Sequence, residues 1–226
     1  MPINTWHHRA EQIMSLDSPI GILGGSFDPV HHGHLRSALD ICDALSLSSV
    51  HLLPNYISPH KSVSHASDHH RLAMLKLATA NCPQLAIDEQ ELKTNNACFT
   101  VDTLEKLRAH YPNSPLCFLM GMDSLRSFTH WHRWQDILKL CHLVVSARPG
   151  WEVPSDGDSA ALLAQHQTTD YRQLHQQMAG NIFLHQAYPL SISSSDIRAL
   201  CRNEQSCQFL VPDSVNEYIA KHQLYR

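Results

Sequence analysis

The chain has 226 residues, of which 43% are hydrophobic and 17% charged, and its formal net charge is −4. These values are typical of a globular protein with one sizeable core, and they exclude a largely disordered chain. The slightly negative charge argues against a general nucleic-acid binder, which is normally basic. No apolar stretch reaches membrane-spanning length, and the N-terminus lacks the apolar core of a signal peptide.

The cysteines and histidines indicate neither a disulfide framework nor a metal site. Seven cysteines are present, an odd number without a C-x-x-C pair, so we expect reduced thiols and a cytoplasmic protein. The 18 histidines include no H-E-x-x-H motif and no tight cluster with zinc-ligand spacing. We therefore expect no metal ion held by the protein's own side chains.

The first predicted elements are a lead-in and a strand followed by a helix. Residues 1–18 are predicted to form an N-terminal lead-in with a short helix over Ala10–Leu16, and residues 19–226 a single domain. Pro19–Leu23 is an apolar run typical of a buried strand. The helix after it has hydrophobic residues at helical spacing, namely Leu35, Ala38, Leu39, Cys42 and Leu45.

Between this strand and helix lies Gly24–Leu35, with the sequence GGSFDPVHHGHL. A glycine-bearing turn that opens a helix suits a phosphate, because Gly24 and Gly25 let the backbone approach closely and the helix amides carry partial positive charge. His31 and His34 can lie on one side of the helix start, with Gly33 leaving the space between them open. The segment therefore predicts a phosphate site rather than a tight turn with two surface histidines.

Strands and helices continue to alternate along the chain. Further strands are predicted over Ser49–Leu53, Leu85–Ile87, Pro115–Met120, His142–Ser146 and Ile182–Leu184. Further helices are predicted over Ser67–Ala80 (with Leu72, Leu75, Leu77 and Ala78 mostly inward), Thr100–Tyr111, from Trp134, Ser159–Met178, from Asp196 and Ser214–Lys221. This alternation without a hairpin signal predicts a doubly wound α/β fold with a mostly parallel sheet. The P-loop motif and G-x-G-x-x-G are both missing, which argues against a P-loop kinase and a standard dinucleotide oxidoreductase.

Two later turns carry residues suited to ligand binding. Gly121–Ser124 follows a predicted strand at its carboxyl end, where open parallel sheets bind ligands. There Asp123 or Ser124 caps the next helix, or Asp123 accepts a hydrogen bond from a nucleotide. Ser191–Ser195 opens a helix with Arg198 one turn in. This turn is a plain N-cap or a second anion site, and the first phosphate motif favours the anion site.

The motifs near the two ends resemble those of one family. GGSFDPVHHGHL resembles the signature of the nucleotidyltransferase superfamily that carries H-x-G-H, and ISSSDIR (Ile192–Arg198) resembles its second phosphate-binding motif. The landmarks between them resemble bacterial nicotinate mononucleotide adenylyltransferases in particular. These landmarks are Pro59-His60-Lys61, Thr100–Leu104, Gly121–Ser124, Trp131 and Arg148-Pro149-Gly150. The resemblance covers residues 19–226.

The resemblance implies a Rossmann-like nucleotidyltransferase fold and transfer of the adenylyl group of ATP to nicotinate mononucleotide, with deamido-NAD as product and Mg²⁺ entering with ATP. The implied catalytic residues are His31, His34, Lys61 and Arg198. The implied ATP-binding residues are Gly24, Gly25, Ser26, Phe27, His31, His34, Lys61, Ser193, Ser194 and Arg198. The implied nicotinate mononucleotide-binding residues are Asp28, Thr100, Asp123, Trp131 and Arg148.

Three aromatic residues refine these expectations. Trp131 lies where the family has an aromatic that stacks on the pyridine ring, whereas Trp134 begins the next helix and is expected in the core. Phe99 occupies the family's aromatic position before Thr100 but has no phenolic hydroxyl, so it cannot donate the hydrogen bond that a tyrosine would give there.

The chain has no G-x-S-x-G motif and no legible nucleophile–base set. Direct attack of one phosphate on the α-phosphorus of ATP needs no covalent intermediate, and it needs no general base because the attacking phosphate is already anionic. Two alternatives remain open at this point. One is an adenylyltransferase for another acceptor, such as nicotinamide mononucleotide or phosphopantetheine, and the other is a non-catalytic nucleotide-binding protein.

Overall fold

The computed structural model describes residues 16–56, 64–94, 98–147, 154–186, 188 and 190–226. The short helix predicted in the lead-in falls almost wholly outside these residues, and so do the Pro59-His60-Lys61 and Arg148-Pro149-Gly150 landmarks. The division into a lead-in and one domain stays a prediction.

The centre of the described fold is a seven-stranded sheet in which every neighbouring pair is parallel. The strand order is β3-β2-β1-β4-β5-β7-β6. The strands are β1 (Ile20–Gly25), β2 (Ser49–Pro54), β3 (Leu85–Ile87), β4 (Leu116–Gly121), β5 (His142–Ala147), β6 (Gln167–Thr168) and β7 (Ile182–Gln186). The predicted doubly wound parallel α/β fold is confirmed.

Helices connect the strands and cover both faces of the sheet. They are α1 (His32–Ala44), α2 (Asp68–Thr79), α3 (Thr100–His110), α4 (Met122–Ser127), α5 (Trp134–Leu140), α6 (Gly157–His166), α7 (Gln173–Gln176), α8 (Ser194–Arg202) and α9 (Asp213–Lys221), with a 3₁₀ turn at Phe128–His130. Within the described ranges, no helix is long and apolar enough to cross a membrane.

The core has two parts because successive side chains of a strand point to opposite faces. On β4, Cys117 and Leu119 enter one cluster, whereas Phe118 and Met120 enter the other. The first cluster is covered by α1, α2, α8 and α9, and the second by α3, α4, α5 and α6. Burial on both faces explains why β4 is a continuous apolar run in the sequence.

The strand order reverses between β1 and β4. The chain leaves β1 for the β2 side, and β4 continues on the opposite side. At such a switch point the loops after the two strands diverge and leave a crevice beyond their carboxyl ends. Gly25 ends β1 and Gly121 ends β4. The crevice therefore lies between the H-x-G-H turn, which follows β1, and the Gly121–Ser124 turn, which follows β4.

Three sequence predictions are wrong in detail. Gly24 and Gly25 end β1 instead of lying in the turn. Leu77 is 40% exposed, and Met74 takes the inward position on α2.

The third error is the single helix predicted over Ser159–Met178. Thr168 pairs with Phe183 of β7, which makes a short edge strand between α6 and α7. The Thr168 hydroxyl also accepts a hydrogen bond from the Asp170 backbone at 3.1 Å. Such local side-chain bonds compete with helix formation and turn the chain.

All seven cysteines lie in the described part of the chain, and none forms a disulfide. The expectation of reduced thiols, drawn from the odd cysteine count, therefore agrees with the structure.

Candidate active site

The turn after β1 is shaped by Phe27. Its side chain is only 1% exposed, and its backbone has φ of 47°, which is uncommon outside glycine. A Cβ on Gly25 would lie 3.3 Å from the Phe27 ring, so glycine at this position lets the ring pack beneath the strand end. The Phe27 side chain thus faces the core, and the predicted contact of this residue with ATP remains a prediction.

His31 and His34 lie together at the start of α1. His31 is the N-cap, and its Nδ1 accepts a hydrogen bond from the His34 backbone N–H at 3.3 Å. The two imidazole rings stack with centroids 3.6 Å apart and planes 24° apart. A Cβ on Gly33 would come within 2.9 Å of His31 Nδ1, so the missing side chain makes room for the His31 ring.

The second phosphate motif is joined to the first by hydrogen bonds. Ser193 caps α8 by accepting from the Asp196 N–H at 3.1 Å. The Ser194 hydroxyl donates to the carbonyl of Pro29 at 2.9 Å, and Arg198 Nη1 donates to the carbonyl of Asp28 at 2.6 Å. The start of α8 is therefore tied to the loop between β1 and α1, although the two are far apart in sequence.

A cleft of about 1210 Å³ opens between these elements, which is large for a single small-molecule site. It brings together most of the residues that the sequence predicted. From the ATP set these are Gly24, Gly25, Ser26, His31, His34, Ser193, Ser194 and Arg198, and from the nicotinate mononucleotide set Asp28, Asp123 and Trp131. Lys61 and Arg148 lie outside the described residues, so their predicted roles remain predictions.

A smaller cavity of about 210 Å³ adjoins the cleft. Trp131, Phe118 and Gly25 line both spaces, so the smaller cavity opens beside the end of β1. Its other lining includes Thr100, at the first turn of α3, and His132. Because the first amides of a helix lack intrahelical acceptors, the start of α3 offers donors for an anionic group here.

The two tryptophans are placed differently. Trp131 packs edge-on against Phe118 at 6.0 Å between centroids and lines both cavities. Trp134 begins α5 as predicted and packs on Phe128 at 5.9 Å. Both contribute to the second core cluster, but only Trp131 has a position from which it can contact a ligand in the described cavities.

Asp123 is exposed and lies on the wall of the cleft. The N-cap of α4 is Gly121, and no side chain in the described structure caps it. The alternative that Asp123 or Ser124 merely caps the helix is therefore wrong. A Cβ on Gly121 would meet Asp123 Oδ1 at 2.5 Å, so the glycine lets this carboxylate fold back over the strand end.

Asp28 is buried, and its carboxylate is engaged by the protein. It accepts hydrogen bonds from the His65 N–H at 2.7 Å, the Ala66 N–H at 3.1 Å and the Tyr225 hydroxyl at 2.7 Å. A carboxylate with three donors from its own chain has little acceptor capacity left for a substrate. Its predicted contact with nicotinate mononucleotide stays untested, and the geometry favours a structural role.

Sequence reasoning missed Arg71. Its side chain is 0% exposed and donates to the carbonyls of Ser26 and Asn55, both at 2.6 Å, and to Asp68 at 2.7 Å. It thereby holds the turns after β1 and β2 against α2. Its position in the first turn of α2 gave no signal, because a helix-start arginine beside an aspartate usually lies on the surface.

Glu91 was also missed. It lines the smaller cavity, is 7% exposed and accepts from the Thr103 hydroxyl at 2.7 Å. Burial raises the pKa of this carboxyl from its ordinary 4.5 to about 7, against the opposing effect of the Thr103 hydrogen bond. A carboxyl that is partly protonated near neutrality therefore lines the same cavity as Thr100.

The described residues contain no group of three or more His, Cys, Asp or Glu side chains that could hold a metal ion. A divalent cation would fit this cleft as the complex of Mg²⁺ with a nucleotide's phosphates, because Mg²⁺ commonly keeps several water and phosphate ligands.

Comparison with known proteins identifies the family. The cytidylyltransferase-like family matches residues 22–200. A protein of Psychromonas ingrahamii named "Probable nicotinate-nucleotide adenylyltransferase" is 49% identical over 207 residues, covering 92% of this chain and 97% of that protein. One of the same name from Aeromonas salmonicida is 48% identical over 211 residues, covering 93% and 99%.

A solved structure supports the fold. The nicotinic acid mononucleotide adenylyltransferase of Plasmodium falciparum, complexed with NaAD, has a TM-score of 0.70 at 19% identity and covers 92% of this chain and 98% of that one. The resemblance drawn from the two end motifs is thus confirmed. The chain belongs to the nicotinate-nucleotide adenylyltransferases of the cytidylyltransferase-like family.

Proposed function

We propose that this protein transfers the adenylyl group of ATP to nicotinate mononucleotide, giving deamido-NAD and pyrophosphate for NAD biosynthesis. One observation carries the proposal: the H-x-G-H turn and the start of α8 converge on one cleft, and Trp131 lies where that cleft meets a second cavity. Two adjoining spaces suit a reaction that joins two nucleotides. The names of the relatives agree with it.

ATP is proposed to lie with its phosphates between the starts of α1 and α8. Both helices direct partial positive charge and amide donors towards the cleft. His31 and His34 supply imidazole donors, and the backbone amides of the Ser193–Ser194 turn add donors from the other side, since both serine hydroxyls already donate within the protein. Arg198 uses two of its five N–H donors on Asp28 and Ser195, which fixes its guanidinium at the wall. Lys61 is proposed as a further phosphate ligand, and Mg²⁺ enters with ATP.

Nicotinate mononucleotide is proposed to place its pyridine ring against Trp131. The ring would extend into the smaller cavity, with its carboxylate at the start of α3 beside Thr100. Asp123, on the cleft wall, would accept from the nucleotide's hydroxyl groups. Arg148 belongs to the predicted set for this substrate, whereas the carboxylate of Asp28, also in that set, is engaged by three protein donors.

The chemistry needs positioning and charge stabilisation more than proton transfer. An oxygen of the nicotinate mononucleotide phosphate forms a bond to the α-phosphorus of ATP, and the bond from that phosphorus to the bridging oxygen breaks. The bonding electrons leave with pyrophosphate, so no covalent enzyme intermediate and no general base are required. His34 is proposed to donate to the α-phosphate more strongly in the transition state than in bound ATP.

The test measures pyrophosphate release from MgATP with each of three acceptors. We expect release with nicotinate mononucleotide and much slower release with nicotinamide mononucleotide and phosphopantetheine. Faster release with nicotinamide mononucleotide or phosphopantetheine would show that this compound, and not nicotinate mononucleotide, is the acceptor. ATP binding without pyrophosphate release with any acceptor would favour a non-catalytic nucleotide-binding protein. We also propose a cytoplasmic location, where reduced thiols persist.

A further inference from the structure

Asp28 joins three segments that surround the cleft. Its carboxylate accepts from the His65 and Ala66 amides, which precede α2, and its carbonyl accepts from Arg198 on α8. The residue itself lies in the turn between β1 and α1. Any shift of Asp28 is therefore transmitted to the H-x-G-H turn, to the segment before α2 and to the arginine of the second phosphate motif.

The third donor to this carboxylate comes from the segment after α9. The Tyr225 hydroxyl donates to Asp28 Oδ1 at 2.7 Å, across 197 positions of sequence. A hydrogen bond to an ionised acceptor is stronger than one between neutral groups. Burial and the adjacent Asp28 carboxylate raise the pKa of the Tyr225 hydroxyl above its ordinary range, so this hydroxyl remains a donor.

Tyr225 makes this contact from an unusual backbone conformation. Its φ is 67°, in the left-handed region that bulky residues rarely adopt. Such a conformation persists only where the surrounding contacts hold it, and it is concentrated at functional sites. A second bond ties the same region together, because the His32 N–H donates to the carbonyl of Leu210 at 3.0 Å, just before α9.

We propose that Tyr225 is a positioning residue for the adenylyl-transfer reaction. Its hydroxyl orients Asp28, which in turn holds the H-x-G-H turn, the segment before α2 and Arg198 at their places around the ATP phosphates. This inference rests on the proposed function. It adds the segment after α9 to the parts of the chain that determine catalytic geometry.

The experiment compares two single-hydroxyl deletions in the full chain. Tyr225→Phe removes the bond to Asp28 and keeps the ring. Tyr218→Phe is the matched control, because its hydroxyl lies 3.0 Å from His70 Nδ1 on α2 and touches neither the cleft lining nor Asp28. Thermal melts of both variants show whether each is folded, and kcat and KM for ATP and nicotinate mononucleotide are measured separately.

We expect Tyr225→Phe to lower kcat by about 10-fold or more, since small displacements of catalytic groups have effects of this size or larger. Tyr218→Phe should keep the wild-type kcat. Equal kcat in wild type and Tyr225→Phe would overturn the inference, as would an equal loss of kcat in both variants. Wild-type enzyme in the same assay keeps this result separate from a failure of the proposed function, which would show as no turnover in any sample.

A double variant tests the route through Asp28. If Tyr225 acts by orienting this carboxylate, adding Tyr225→Phe to Asp28→Asn should cause no further loss of kcat beyond that of Asp28→Asn alone. Residues that act as one unit give such non-additive effects, whereas independent ones add. Additive losses would show that Tyr225 acts elsewhere and would overturn the proposed route.

Discussion

The imidazoles of His31 and His34 stack face to face with their centroids 3.6 Å apart, one ring on the N-cap of α1 and the other in its first turn. The backbone bond from His34 N–H to His31 Nδ1 orients the first ring. In a neutral ring whose Nδ1 accepts, Nε2 carries the hydrogen and is the donor. The pair is therefore a preorganised donor group at the positive end of a helix.

The first prediction concerns His34. His34→Ala should lower kcat by about 10²–10³-fold, the usual effect of removing one donor that stabilises transition-state charge. ATP affinity measured by calorimetry should weaken far less. His32→Ala is the control, because His32 lies between the two residues in the motif but lines neither cavity. Wild-type kcat in His34→Ala would contradict the proposed role.

The second prediction concerns Gly33. In Gly33→Ala, the new Cβ would lie 2.9 Å from His31 Nδ1 and 3.4 Å from the Ile192 carbonyl, so the His31 ring must move. We expect kcat to fall because the His31 ring is displaced. The variant should remain folded, because alanine favours a helix over glycine by about 1 kcal/mol. Asp43→Ala, on the exposed face of α1, controls for the gain in helix propensity. A Gly33→Ala enzyme with full kcat would show that the position of the His31 ring is not critical.

Much of this fold could be predicted from local sequence patterns. Leu85–Ile87 has the bounds that its apolar run predicted, and α3 begins at Thr100 as expected. The two phosphate motifs were recognisable because each is a short contiguous stretch. The edge strand β6 was missed because its two residues form a strand only by pairing with β7.

The missed parts of the site depend on contacts between segments far apart in sequence. Arg71 reaches the carbonyl of Ser26 across 45 positions, and Tyr225 reaches Asp28 across 197. No local pattern indicates that an arginine at a helix start is fully buried or that a tyrosine near a tail contacts a catalytic turn. Asp28 shows the opposite case: its motif was recognised, but only the structure shows that its carboxylate is occupied by three protein donors.

The third prediction concerns Trp131 and the choice between acid and amide substrates. Trp131→Ala should raise KM for nicotinate and nicotinamide mononucleotides by a similar factor, because both rings offer the same π-face for stacking. The ratio of the two kcat/KM values should stay near that of the wild type, since we propose that donors at the start of α3, and not the tryptophan, distinguish the carboxylate from the carboxamide. Trp134→Ala is the matched control, because it also packs on Phe128 but lines neither cavity. A collapse of the substrate ratio in Trp131→Ala would assign discrimination to the tryptophan itself.

The fourth prediction concerns the buried Glu91. Its pKa rises from an ordinary 4.5 to about 7 in the folded protein, so the folded state binds more protons than the unfolded state between these values. The contribution of the Glu91 proton to the free energy of unfolding is therefore complete below pH 4.5 and is lost as the pH rises through 7. The loss is about 3 kcal/mol, because each pKa unit corresponds to about 1.4 kcal/mol. Glu91→Gln, which keeps an acceptor for Thr103, should remove this loss and raise the free energy of unfolding above pH 7 relative to wild type.

Urea unfolding at a series of pH values measures the difference between Glu91→Gln and wild type. The control variant is Glu217→Gln, at an exposed glutamate. Its free energy of unfolding should follow the pH dependence of the wild type more closely than that of Glu91→Gln does. If the difference between Glu91→Gln and wild type is the same at pH 5 and pH 8, the buried carboxyl is not the source of the pH dependence.

The fifth prediction concerns His142, which is 0% exposed at the start of β5. Its Nε2 donates to the carbonyl of Gln177 at 2.8 Å, and its Nδ1 accepts from the Asn181 N–H at 3.1 Å. The second bond requires a neutral Nδ1, and burial lowers the pKa of the ring from 6.5 to about 4. Protonation would therefore break a bond that anchors the turn before β7.

The sign of this effect is opposite to that of Glu91. Between pH 6.5 and about 4 the unfolded state binds the proton and the folded state does not, so stability is present above pH 6.5 and falls on acidification, by about 3 kcal/mol in all. His142→Gln should lose stability at pH 7, where the two hydrogen bonds are disturbed, but show a shallower decline from pH 6.5 to 4 than wild type. His130→Gln, at an exposed histidine, controls for the loss of one titratable ring. Parallel stability curves for wild type and His142→Gln over this range would show that another group governs the acid sensitivity of the fold.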